Sequence, residues 1–376
     1  MNIVVNTRAL FHGDVEGADY FVEDVFSRLA KQHPEHQFYF LIDKVLPEKN
    51  NILPNVTLIS VAPRKGAPFF WNYWYNQTLP SLLKKLKANL FVSADGICSL
   101  RTKIPQCLLI SELGFLHYPG FVKKSHQKYY KRNTEKFLSK AEVVVTVSEY
   151  MKNEICNRFD VDDAKVHVVY SGINEKFQPV EFEQREQVKG EFADGCEYFF
   201  YAGYIHPRKN LINLLRAFSV FKKKQKSNMK LVLYAKIAGE NKEFTKLLNT
   251  FKYRNDVKLI SYVSETECSK LTASAYAVVY PSFFESFGLP PLEALQCGVP
   301  AIVSSAGAMP EIGGNAYLYV NPDSFEDIAA KMMLLYKDET LRNKLIENGR
   351  DRVSFFSGER AAQKMWDCIE LAARPE

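Results

Sequence analysis

The 376-residue sequence predicts an α/β protein built from two doubly wound domains. The chain is longer than the length at which a single hydrophobic core stops growing, so two domains are expected. Its 47% apolar and 13% aromatic content can fill two such cores. Strand-sized apolar runs alternate with amphipathic helical patterns along both halves, which is typical of parallel sheets covered by helices.

The N-terminal half begins with a strand, a loop of small and acidic residues, and a helix that places Phe21, Val25 and Leu29 on one face. Further along, a helix is predicted from Glu149 to about Phe159, because Ser148 is well suited to cap it. The predicted strands are Ile3 to Asn6, Phe38 to Ile42, Thr57 to Val61, Leu90 to Ser93, Leu108 to Ile110 and Val143 to Val147.

The segment from Gly172 to about Asp194 differs in composition from its surroundings. It contains Pro179, many charged residues and few apolar ones, which is typical of a linker. We therefore expect a Rossmann-like domain over residues 1–180 and a second one over residues 190–360. We expect the two domains to face each other across a cleft, in which ligands bind beyond the carboxyl ends of the strands.

Beyond this segment the alternation of strands and helices starts again. Helices are predicted from Leu211 to Phe221 and from Pro290 to Gln296, since proline is tolerated in a first helical turn. The predicted strands are Tyr198 to Ala202, Lys230 to Tyr234, Val257 to Ile260, Ala277 to Tyr280 and Ala301 to Ser304.

Composition argues against several classes of protein. The seven cysteines are scattered and lack CxxC spacing, which argues against a disulfide framework and a structural zinc site. His33 and His36 are separated by Pro34, which would break a helix that could align them as metal ligands, so no metal site is expected. No apolar run reaches eighteen residues and no charged leader precedes the first strand, so we expect a cytoplasmic protein.

The net charge of +6 is unevenly distributed. Residues 81–140 contain twelve Lys or Arg against three Asp or Glu. One interpretation is an ordinary solvated face. The other is a surface for an anionic partner, such as the inner leaflet of a membrane, a lipid-diphosphate acceptor or nucleic acid. Nucleic acid has no further support, because zinc-finger spacing, RNP motifs and base-reading basic helices are absent from the sequence.

The strongest local pattern runs from Tyr280 to Glu293. A buried strand ends in a loop, and two prolines then open a helix, so the amides of Phe287, Gly288 and Leu289 cluster near a helix N-terminus that attracts anions. Glu285 and Glu293 suit a hydroxyl-rich ligand, because each carboxylate accepts hydrogen bonds from neighbouring OH groups. The alternative is that Glu293 only complements the helix dipole and Glu285 is solvated.

A second pattern runs from Tyr201 to Phe218. A strand ends at Gly203, Arg208 and Lys209 follow in a short loop, and Asn210 is placed to cap the next helix. Two cations at the carboxyl end of a strand are well placed to hold a phosphate, although a chance basic pair on a surface loop is the alternative.

These segments closely resemble the retaining, nucleotide-sugar-dependent glycosyltransferases of the GT-B fold. They fit the large family 4, which includes bacterial mannosyltransferases and glucosyltransferases. Glu285 and Glu293 match its E-x7-E motif, and Tyr201 to Phe218 matches its Arg-Lys-Asn segment. The likeness is strong over residues 140–356 and weaker in the N-terminal third. The surrounding pattern continues through Gly298 to Ser305, Pro310 to Ile312 and Asn315 to Pro322.

The resemblance implies a hexosyltransferase that moves mannose or glucose from a nucleotide-diphosphate sugar to a glycan or lipid-linked glycan acceptor. Lys209 and Arg208 would neutralise the departing diphosphate, Glu285 would contact the transferred sugar, and Glu293 would bind the ribose hydroxyls. The family retains anomeric configuration without a bound divalent metal, so no cofactor is expected. The last helix, Ala361 to Ala372, is expected to pack back on the first domain. Further donor contacts are expected from Gly203, Tyr262, Val263, Ser286, Phe287, Gly288 and Leu289.

The chain departs from the family pattern mainly in its N-terminal half. Ser111 and Glu112 stand where many relatives carry a His-Asp pair, and His117 in the same loop is the candidate to compensate. The loop from Gly13 to Gly17 resembles the family's glycine-containing loop near the acceptor, with a plain surface loop as the alternative.

Asp160-Val-Asp162 resembles a metal-binding DxD motif but follows a helix, so a surface turn is predicted. The absence of GxGxxG after the first strand argues against a dinucleotide-dependent dehydrogenase. The alternative to an active transferase is a catalytically impaired sugar-nucleotide-binding protein of the same fold, since the His-Asp pair is missing.

Overall fold

The computed structural model describes residues 1–8, 17–42, 53–61, 67–236, 242–261 and 263–374. The chain divides into two compact units. One comprises Met1–Gly172 together with Ser357–Glu376, and the other comprises Ile173–Phe356. Each unit contains one parallel β-sheet whose strands are connected by helices. The predicted fold class of two doubly wound, Rossmann-like domains is therefore confirmed.

The first unit contains a seven-stranded sheet: β1 (Asn2–Asn6), β2 (Gln37–Ile42), β3 (Val56–Ser60), β4 (Leu90–Ser93), β5 (Gln106–Ile110), β6 (Val143–Thr146) and β7 (Val166–Val168). The order across the sheet is β3-β2-β1-β4-β5-β6-β7, so it reverses between β1 and β4. A π-helical turn at Trp74–Thr78 joins the second and third helices. The helices are α1 (Gly17–Gln32), α2 (Pro68–Tyr73), α3 (Leu79–Lys85), α4 (Gly114–His117), α5 (Lys124–Lys140) and α6 (Glu149–Phe159).

The second unit contains a six-stranded sheet: β8 (Tyr198–Tyr204), β9 (Lys230–Lys236), β10 (Val257–Ile260), β11 (Ala277–Tyr280), β12 (Ala301–Ser304) and β13 (Tyr317–Val320). The order is β10-β9-β8-β11-β12-β13, with the reversal between β8 and β11. The helices are α7 (Phe182–Ala193), α8 (Leu211–Gln225), α9 (Lys242–Asn249), α10 (Glu265–Ala273), α11 (Leu289–Gln296), α12 (Met309–Gly313), α13 (Phe325–Lys337) and α14 (Glu339–Val353).

The predicted elements agree well with the structure where the apolar pattern is strong. Every residue of β4, β6, β11 and β12 is buried, as expected for central strands of a parallel sheet. Helix α6 has the predicted bounds, and the Ser148 hydroxyl accepts a hydrogen bond from the Met151 amide at 3.2 Å. The short edge strands β7 and β13 were not predicted from periodicity, because three or four residues carry too little pattern. No helix formed by the described residues is long and apolar enough to cross a bilayer.

The segment predicted to be a linker contains helix α7, which corrects the sequence interpretation. Few apolar residues anchor this helix, but Val188 and Ala193 are buried. The ammonium of Lys189 is also buried and lies 2.8 Å from a Glu186 oxygen and 2.6 Å from a Glu197 oxygen. A few buried residues and ion pairs that are close in sequence therefore replace the apolar stripe expected of a packed helix. The two units divide at residue 172 rather than within 180–190.

The C-terminal helix α15 (Gly358–Ala373) belongs to the first unit. It packs along α1, and its buried side chains extend the core of the N-terminal sheet. The chain re-enters this unit at a close crossing, because a Cβ on Gly172 would lie 2.6 Å from the Gly358 nitrogen. Trp366 stacks on His33 with ring centroids 3.6 Å apart. The buried apolar side chains of α15 are Ala361, Ala362, Met365, Trp366, Cys368, Ile369 and Ala372.

We predict that Ile369→Ala destabilises the first unit by about 2–4 kcal/mol, because it removes a fully buried side chain from a close-packed core. Leu371→Ala on the same helix is the matched control. Leu371 is 41% exposed, so its truncation should change stability by no more than about 0.5 kcal/mol. Urea denaturation followed by circular dichroism measures both. Equal midpoints for the two variants would contradict the packing of α15 on this core.

Candidate functional site

The carboxyl ends of β8 and β11 lie side by side at the strand-order reversal of the second sheet. The loops that follow these strands are joined by a hydrogen bond from the Phe283 amide to the Arg208 carbonyl oxygen at 2.8 Å. In doubly wound sheets this position forms a crevice in which ligands bind. The residues of both sequence patterns meet here.

Lys209 forms a buried ion pair with Glu285. Pro207–Lys209 is a 3₁₀ turn directly after β8, and it directs the Lys209 side chain towards β11. The Lys209 ammonium donates to a Glu285 carboxylate oxygen at 2.7 Å and to the Tyr280 hydroxyl at 2.8 Å. Arg208 lies 3.9 Å from the other Glu285 oxygen. The structure therefore brings Arg208, Lys209 and Glu285 together, although Lys209 and Glu285 are 76 residues apart in the sequence.

The Glu285 carboxylate is held in its ionised form. Burial by itself raises the pKa of Glu285, but the charges of Lys209 and Arg208 outweigh it and hold the pKa below its usual value. The backbone of Glu285 is fixed as well, since its carbonyl oxygen accepts from the Ala308 amide at 2.9 Å. Gly307 has a φ of +65°, and a Cβ there would lie 2.4 Å from that oxygen. Only glycine therefore allows this close approach.

Asn210 has a different role from the predicted one. It precedes α8 but adopts a left-handed conformation with a φ of +61°, and its side chain does not cap the helix. Its amide group donates instead to the carbonyl oxygens of Pro281 at 2.9 Å and Pro322 at 2.7 Å. Asn210 therefore ties the loop after β8 to the loops after β11 and β13, a long-range role that local helix-cap rules do not reveal.

The N-terminus of α11 faces the loop that carries Glu285. Gly288 occupies the N-cap position with a φ of +94°, and a Cβ there would lie 2.6 Å from the Met309 sulfur. Phe287 and Leu289 on either side are buried, and Ser286 is half-buried. Because the next two residues are prolines without an N–H, the amides of Gly288 and Leu289 are the first donors of this helix. The predicted anion-binding segment thus forms a helix N-terminus.

Glu293 lies in a different electrostatic environment from Glu285. It is half-buried on α11, and burial raises its pKa to about 8, with a contribution from the negative charge of Glu265. Glu265, in turn, pairs with Asn174 and Lys176. The two glutamates of the motif therefore differ in charge: Glu285 is an ionised partner of two cations, whereas Glu293 is largely protonated at neutral pH.

The remaining donor-site predictions fall on β8 and before α10. Gly203 lies within β8, where a Cβ would come 2.7 Å from the Tyr201 hydroxyl. Val263 is buried, and its carbonyl oxygen lies 3.5 Å from the Tyr234 hydroxyl. It precedes a capping box in which Ser264 and Glu267 bond each other's backbone amides. Tyr262 lies outside the described residues.

The three predicted acceptor-side residues lie in the first unit. Gly17 is the first residue of α1, and residues 9–16 before it lie outside the described residues. Glu112 is exposed after β5. His117 ends α4, where its Nε2 lies 3.4 Å from a Glu154 oxygen. Burial lowers the pKa of His117, although Glu154 opposes this effect. The structure therefore anchors His117 to α6 and does not test its acceptor role.

The strand-order reversal of the first sheet carries a buried polar cluster that sequence reasoning missed. Asp95 follows β4 and accepts hydrogen bonds from the Tyr75 hydroxyl at 2.6 Å and the Asn6 amide at 2.8 Å. Arg8 follows β1, lies 3.7 Å from Asp95 and stacks its guanidinium 3.7 Å above the Trp74 ring. These residues are scattered over 90 positions, and each is unremarkable in its local sequence, so only the topology brings them together.

Two sequence predictions concern residues that could act as metal ligands. Asp160 ends α6 in a left-handed conformation and Asp162 caps the following 3₁₀ turn, so the pair forms a surface turn as predicted. That no metal binds at His33 and His36 stays a prediction. Helix α1 ends before Pro34, but the turn that follows brings ligand atoms of His33, Glu35 and His36 within 4.8 Å of one another. The His33 and His36 rings also stack on Trp366.

Comparison with known proteins identifies two matching families. The family described as "Glycosyl transferases group 1" matches residues 182–352, and the one described as "Glycosyltransferase Family 4" matches residues 15–177. The first match contains the whole candidate site at β8 and β11. The second lies in the first unit except for its last five residues, 173–177.

Three individual proteins that resemble the chain share between 16% and 26% sequence identity with it. The O-antigen chain mannosyltransferase B of Escherichia coli is 26% identical over 254 residues, which cover 67% of each chain. Among solved structures, sucrose-phosphate synthase from Thermosynechococcus elongatus has a TM-score of 0.78 at 18% identity, covering 98% of both chains. HepE from Anabaena, solved with UDP and glucose, has a TM-score of 0.76 at 16% identity, covering 98% and 99%. These structural similarities establish the fold.

We predict that Glu293→Gln changes stability in a pH-dependent way. A folded-state pKa of about 8 means that Glu293 stabilises the fold fully below its unfolded pKa near 4.5, and that this contribution is lost as the pH rises towards 8. The variant should therefore melt close to the wild type at pH 5 and above it at pH 9. The shift should be about 2–4 °C for each kcal/mol gained.

The matched control for this prediction is Glu285→Gln. The lowered pKa of Glu285 contributes stability above its unfolded pKa, so this variant should melt below the wild type at pH 7, with a gap that narrows in acid. Thermal unfolding between pH 4 and pH 9 measures both variants. Parallel curves for wild type and Glu293→Gln would show that the carboxyl group does not titrate as described.

We also predict that Asn210→Gly destabilises the second unit by about 2 kcal/mol, since two buried side-chain hydrogen bonds are lost. Lys226→Gly is the control, because Lys226 also has a left-handed backbone, with a φ of +52°, at the exposed end of α8. That control should be neutral or stabilising. Chemical denaturation compares the two, and an equal effect would refute the proposed link between the loops.

Proposed function

The chain belongs to family 4 of the glycosyltransferases, and we propose that it is a retaining hexosyltransferase that uses a nucleotide-diphosphate sugar as donor. The observation that carries the proposal is the cluster of half-buried Arg208 with buried Lys209 and Glu285, in loops next to the N-terminus of α11. Two cations and a helix N-terminus provide the charge that a diphosphate requires, and the carboxylate provides an acceptor for sugar hydroxyls. All of these groups lie where ligands bind in a doubly wound sheet.

The ion pair supports a specific order of events when the donor binds. The Lys209 ammonium has three donors, and Glu285 and Tyr280 accept two of its hydrogen bonds. A diphosphate that approaches Arg208 and Lys209 competes with Glu285 for these cations. The Glu285 carboxylate then accepts hydrogen bonds from the hydroxyls of the transferred sugar. The pair thus holds both groups in position before the donor arrives.

The proposed reaction breaks the bond between the anomeric carbon and the donor phosphate oxygen. The acceptor hydroxyl oxygen bonds to the same carbon from the same face, and its proton passes to an oxygen of the departing phosphate. The products are a nucleoside diphosphate and a glycoside with the donor's anomeric configuration. Lys209 and Arg208 stabilise the charge that develops on the leaving group, so we propose that no divalent metal is needed.

Recognition of the nucleoside is proposed to involve α11 and the segment before α10. Glu293 on α11 offers two oxygens to the vicinal hydroxyls of the ribose, and Val263 offers backbone groups to the base. The other donor contacts would come from Gly203, Ser286, Phe287, Gly288 and Leu289. Tyr262 is a further candidate. HepE, which has the same fold, was solved with UDP and glucose, and this supports a sugar nucleotide as the ligand.

The transferred sugar is proposed to be mannose or glucose, and the acceptor a glycan or lipid-linked glycan of a bacterial surface polysaccharide. The O-antigen chain mannosyltransferase B of Escherichia coli supports this substrate class. Gly17, Glu112 and His117 are the proposed acceptor-side residues in the first unit. The alternative is a binding protein with impaired transfer, favoured by Ser111 and Glu112 at the positions of the family's His-Asp pair. Hydrolysis of the donor in the absence of acceptor distinguishes the two.

We predict that Lys209→Met lowers kcat/KM for sugar transfer by about 100- to 1,000-fold, because it removes a charge that stabilises the leaving group. Lys222→Met is the matched control. Lys222 is also buried and pairs with Asp256 at 2.9 Å, so its loss costs stability without touching the candidate site. Transfer is measured with a panel of nucleotide sugars, with and without EDTA, at a temperature where both variants are folded.

Two results would contradict this assignment. Equal activity of Lys209→Met and wild type would remove Lys209 from the diphosphate site. Loss of transfer on addition of EDTA, restored by a divalent cation, would overturn the proposed metal independence. The donor that supports turnover also identifies the sugar and the base.

A further inference from the structure

We propose that Tyr280 is a positioning residue for sugar transfer, and that its hydroxyl fixes the Lys209 ammonium where the donor diphosphate leaves. This inference rests on the proposed function, because it takes Lys209 as the cation that stabilises the leaving group. It goes beyond that function by assigning a role to a tyrosine that lies outside both the E-x7-E motif and the Arg-Lys-Asn segment.

The Lys209 ammonium donates hydrogen bonds to two groups that differ in kind. The Tyr280 hydroxyl, at 2.8 Å, belongs to the last residue of β11, and the Glu285 oxygen, at 2.7 Å, belongs to the loop that follows. All three side chains are buried, with residue exposures between 2% and 7%. The hydroxyl is neutral and is attached to a strand, whereas the carboxylate is charged and is attached to a loop. Tyr280 therefore orients the ammonium without neutralising its charge.

The Lys209 side chain requires such a contact because it is long and flexible. A lysine ends in a compact charge on a four-carbon stem, so holding the ammonium at one point costs side-chain entropy. In the proposed function a diphosphate replaces Glu285 as the ionic partner of Lys209. The Tyr280 hydroxyl still accepts its hydrogen bond during this exchange. Tyr280 therefore keeps the ammonium in place when its partner of opposite charge changes.

The Tyr280 ring is itself held by a second tyrosine. Tyr201 lies on the neighbouring strand β8, and the two rings stack with centroids 5.5 Å apart and planes 17° apart. Tyr201 is fully buried, and its hydroxyl donates to the Tyr204 carbonyl oxygen at 3.0 Å. A Cβ on Gly203 would lie 2.7 Å from that hydroxyl, so the glycine leaves room for the ring. Packing against a ring fixed in this way restricts the movement of the Tyr280 hydroxyl.

A phenylalanine at position 280 would separate the role of the hydroxyl from the role of the ring. The Lys209 ammonium lies 5.1 Å from the centroid of the Tyr280 ring, which is within the range of cation–π attraction. Phenylalanine would keep this contact and the stacking on Tyr201. It would remove only the oxygen that accepts from Lys209. Tyr280→Phe therefore tests the hydroxyl and not the packing of the ring.

Steady-state kinetics with a nucleotide sugar that supports turnover test the proposal. We expect Tyr280→Phe to lower kcat about 10- to 100-fold, because a displaced cation stabilises the departing diphosphate less well. The KM for the donor should change by less than about three-fold, since the diphosphate carries less charge in the bound donor than in the transition state. Thermal unfolding of the same samples measures the folded fraction.

A double variant distinguishes an effect through Lys209 from a general effect on the structure. If Tyr280 acts by positioning Lys209, its hydroxyl has no role once the ammonium is gone. Lys209→Met/Tyr280→Phe should then transfer sugar within about two-fold of the rate of Lys209→Met alone. Independent effects would multiply the two losses instead.

The matched control is Tyr198→Phe. Tyr198 is fully buried in the same unit, and its hydroxyl donates to the Leu271 carbonyl oxygen at 2.6 Å. It is the first residue of β8, whereas the candidate site lies at the carboxyl end of that strand. Because each substitution removes one hydroxyl from a buried, hydrogen-bonded tyrosine, both variants should lose similar stability. Only Tyr280→Phe should lower kcat, and Tyr198→Phe should stay within about two-fold of the wild type.

Calorimetric binding of UDP, GDP and ADP gives a second readout that does not depend on turnover. When the bond to the sugar breaks, its electron pair stays on the terminal phosphate, so a nucleoside diphosphate carries more negative charge there than the donor does. We expect Tyr280→Phe to weaken binding of the preferred diphosphate about 10-fold, as it weakens the stabilisation of the leaving group. Binding to Tyr198→Phe should match the wild type.

The possible outcomes separate this proposal from the proposed function. Multiplied losses in the double variant, or equal kcat and equal diphosphate affinity in Tyr280→Phe and Tyr198→Phe, would overturn the positioning role and leave the proposed function intact. A wild type that binds a diphosphate but neither transfers nor hydrolyses any donor would overturn the proposed function alone. The diphosphate affinity of Tyr280→Phe would then decide the role of Tyr280. A wild type that binds none of the three diphosphates would overturn both.

Discussion

The buried ion pair between Lys209 and Glu285 is the interaction on which the candidate site depends. A charge inside a protein is tolerated only when it is paired and hydrogen-bonded, so the surrounding loops must keep both partners in place. Asn210 does this by joining three loops, and Gly307 does it by letting the chain approach the Glu285 backbone. The site is thus organised before any ligand arrives, which is the condition for electrostatic stabilisation of a leaving group.

The two glutamates of the E-x7-E motif show how their surroundings give identical side chains different protonation states. Glu285 is ionised because two cations adjoin it, whereas Glu293 retains its proton to about pH 8 because burial and Glu265 act against its charge. One is therefore suited to pair with cations and hydroxyls as an anion, and the other both donates and accepts hydrogen bonds near neutral pH. In the proposed function, Glu285 contacts the transferred sugar and Glu293 contacts the ribose.

The first unit is organised by the same topological rule but has a different chemistry. Its strand-order reversal holds a buried cluster around Arg8 and Asp95, and the π-helical turn after α2 contributes Tyr75 to this cluster. Helix α15 completes the core of this unit, although it follows the entire second unit in sequence. Because α15 returns to the first unit, the chain crosses between the two units twice.

The sequence by itself determined the strands other than β7 and β13, the helices with a clear apolar face or capping residue, and the residues at the carboxyl ends of β8 and β11, because these features depend on local periodicity, turn residues and motifs. It failed where long-range contacts decide the outcome. Helix α7 forms without an apolar stripe, Asn210 bonds loops rather than a helix end, and Arg8 meets Asp95 only through strand order. The opposite protonation of Glu285 and Glu293 likewise follows from neighbours that are distant in sequence. Tertiary structure alone decides such properties, since burial and Coulomb interactions depend on distances in space and not along the chain.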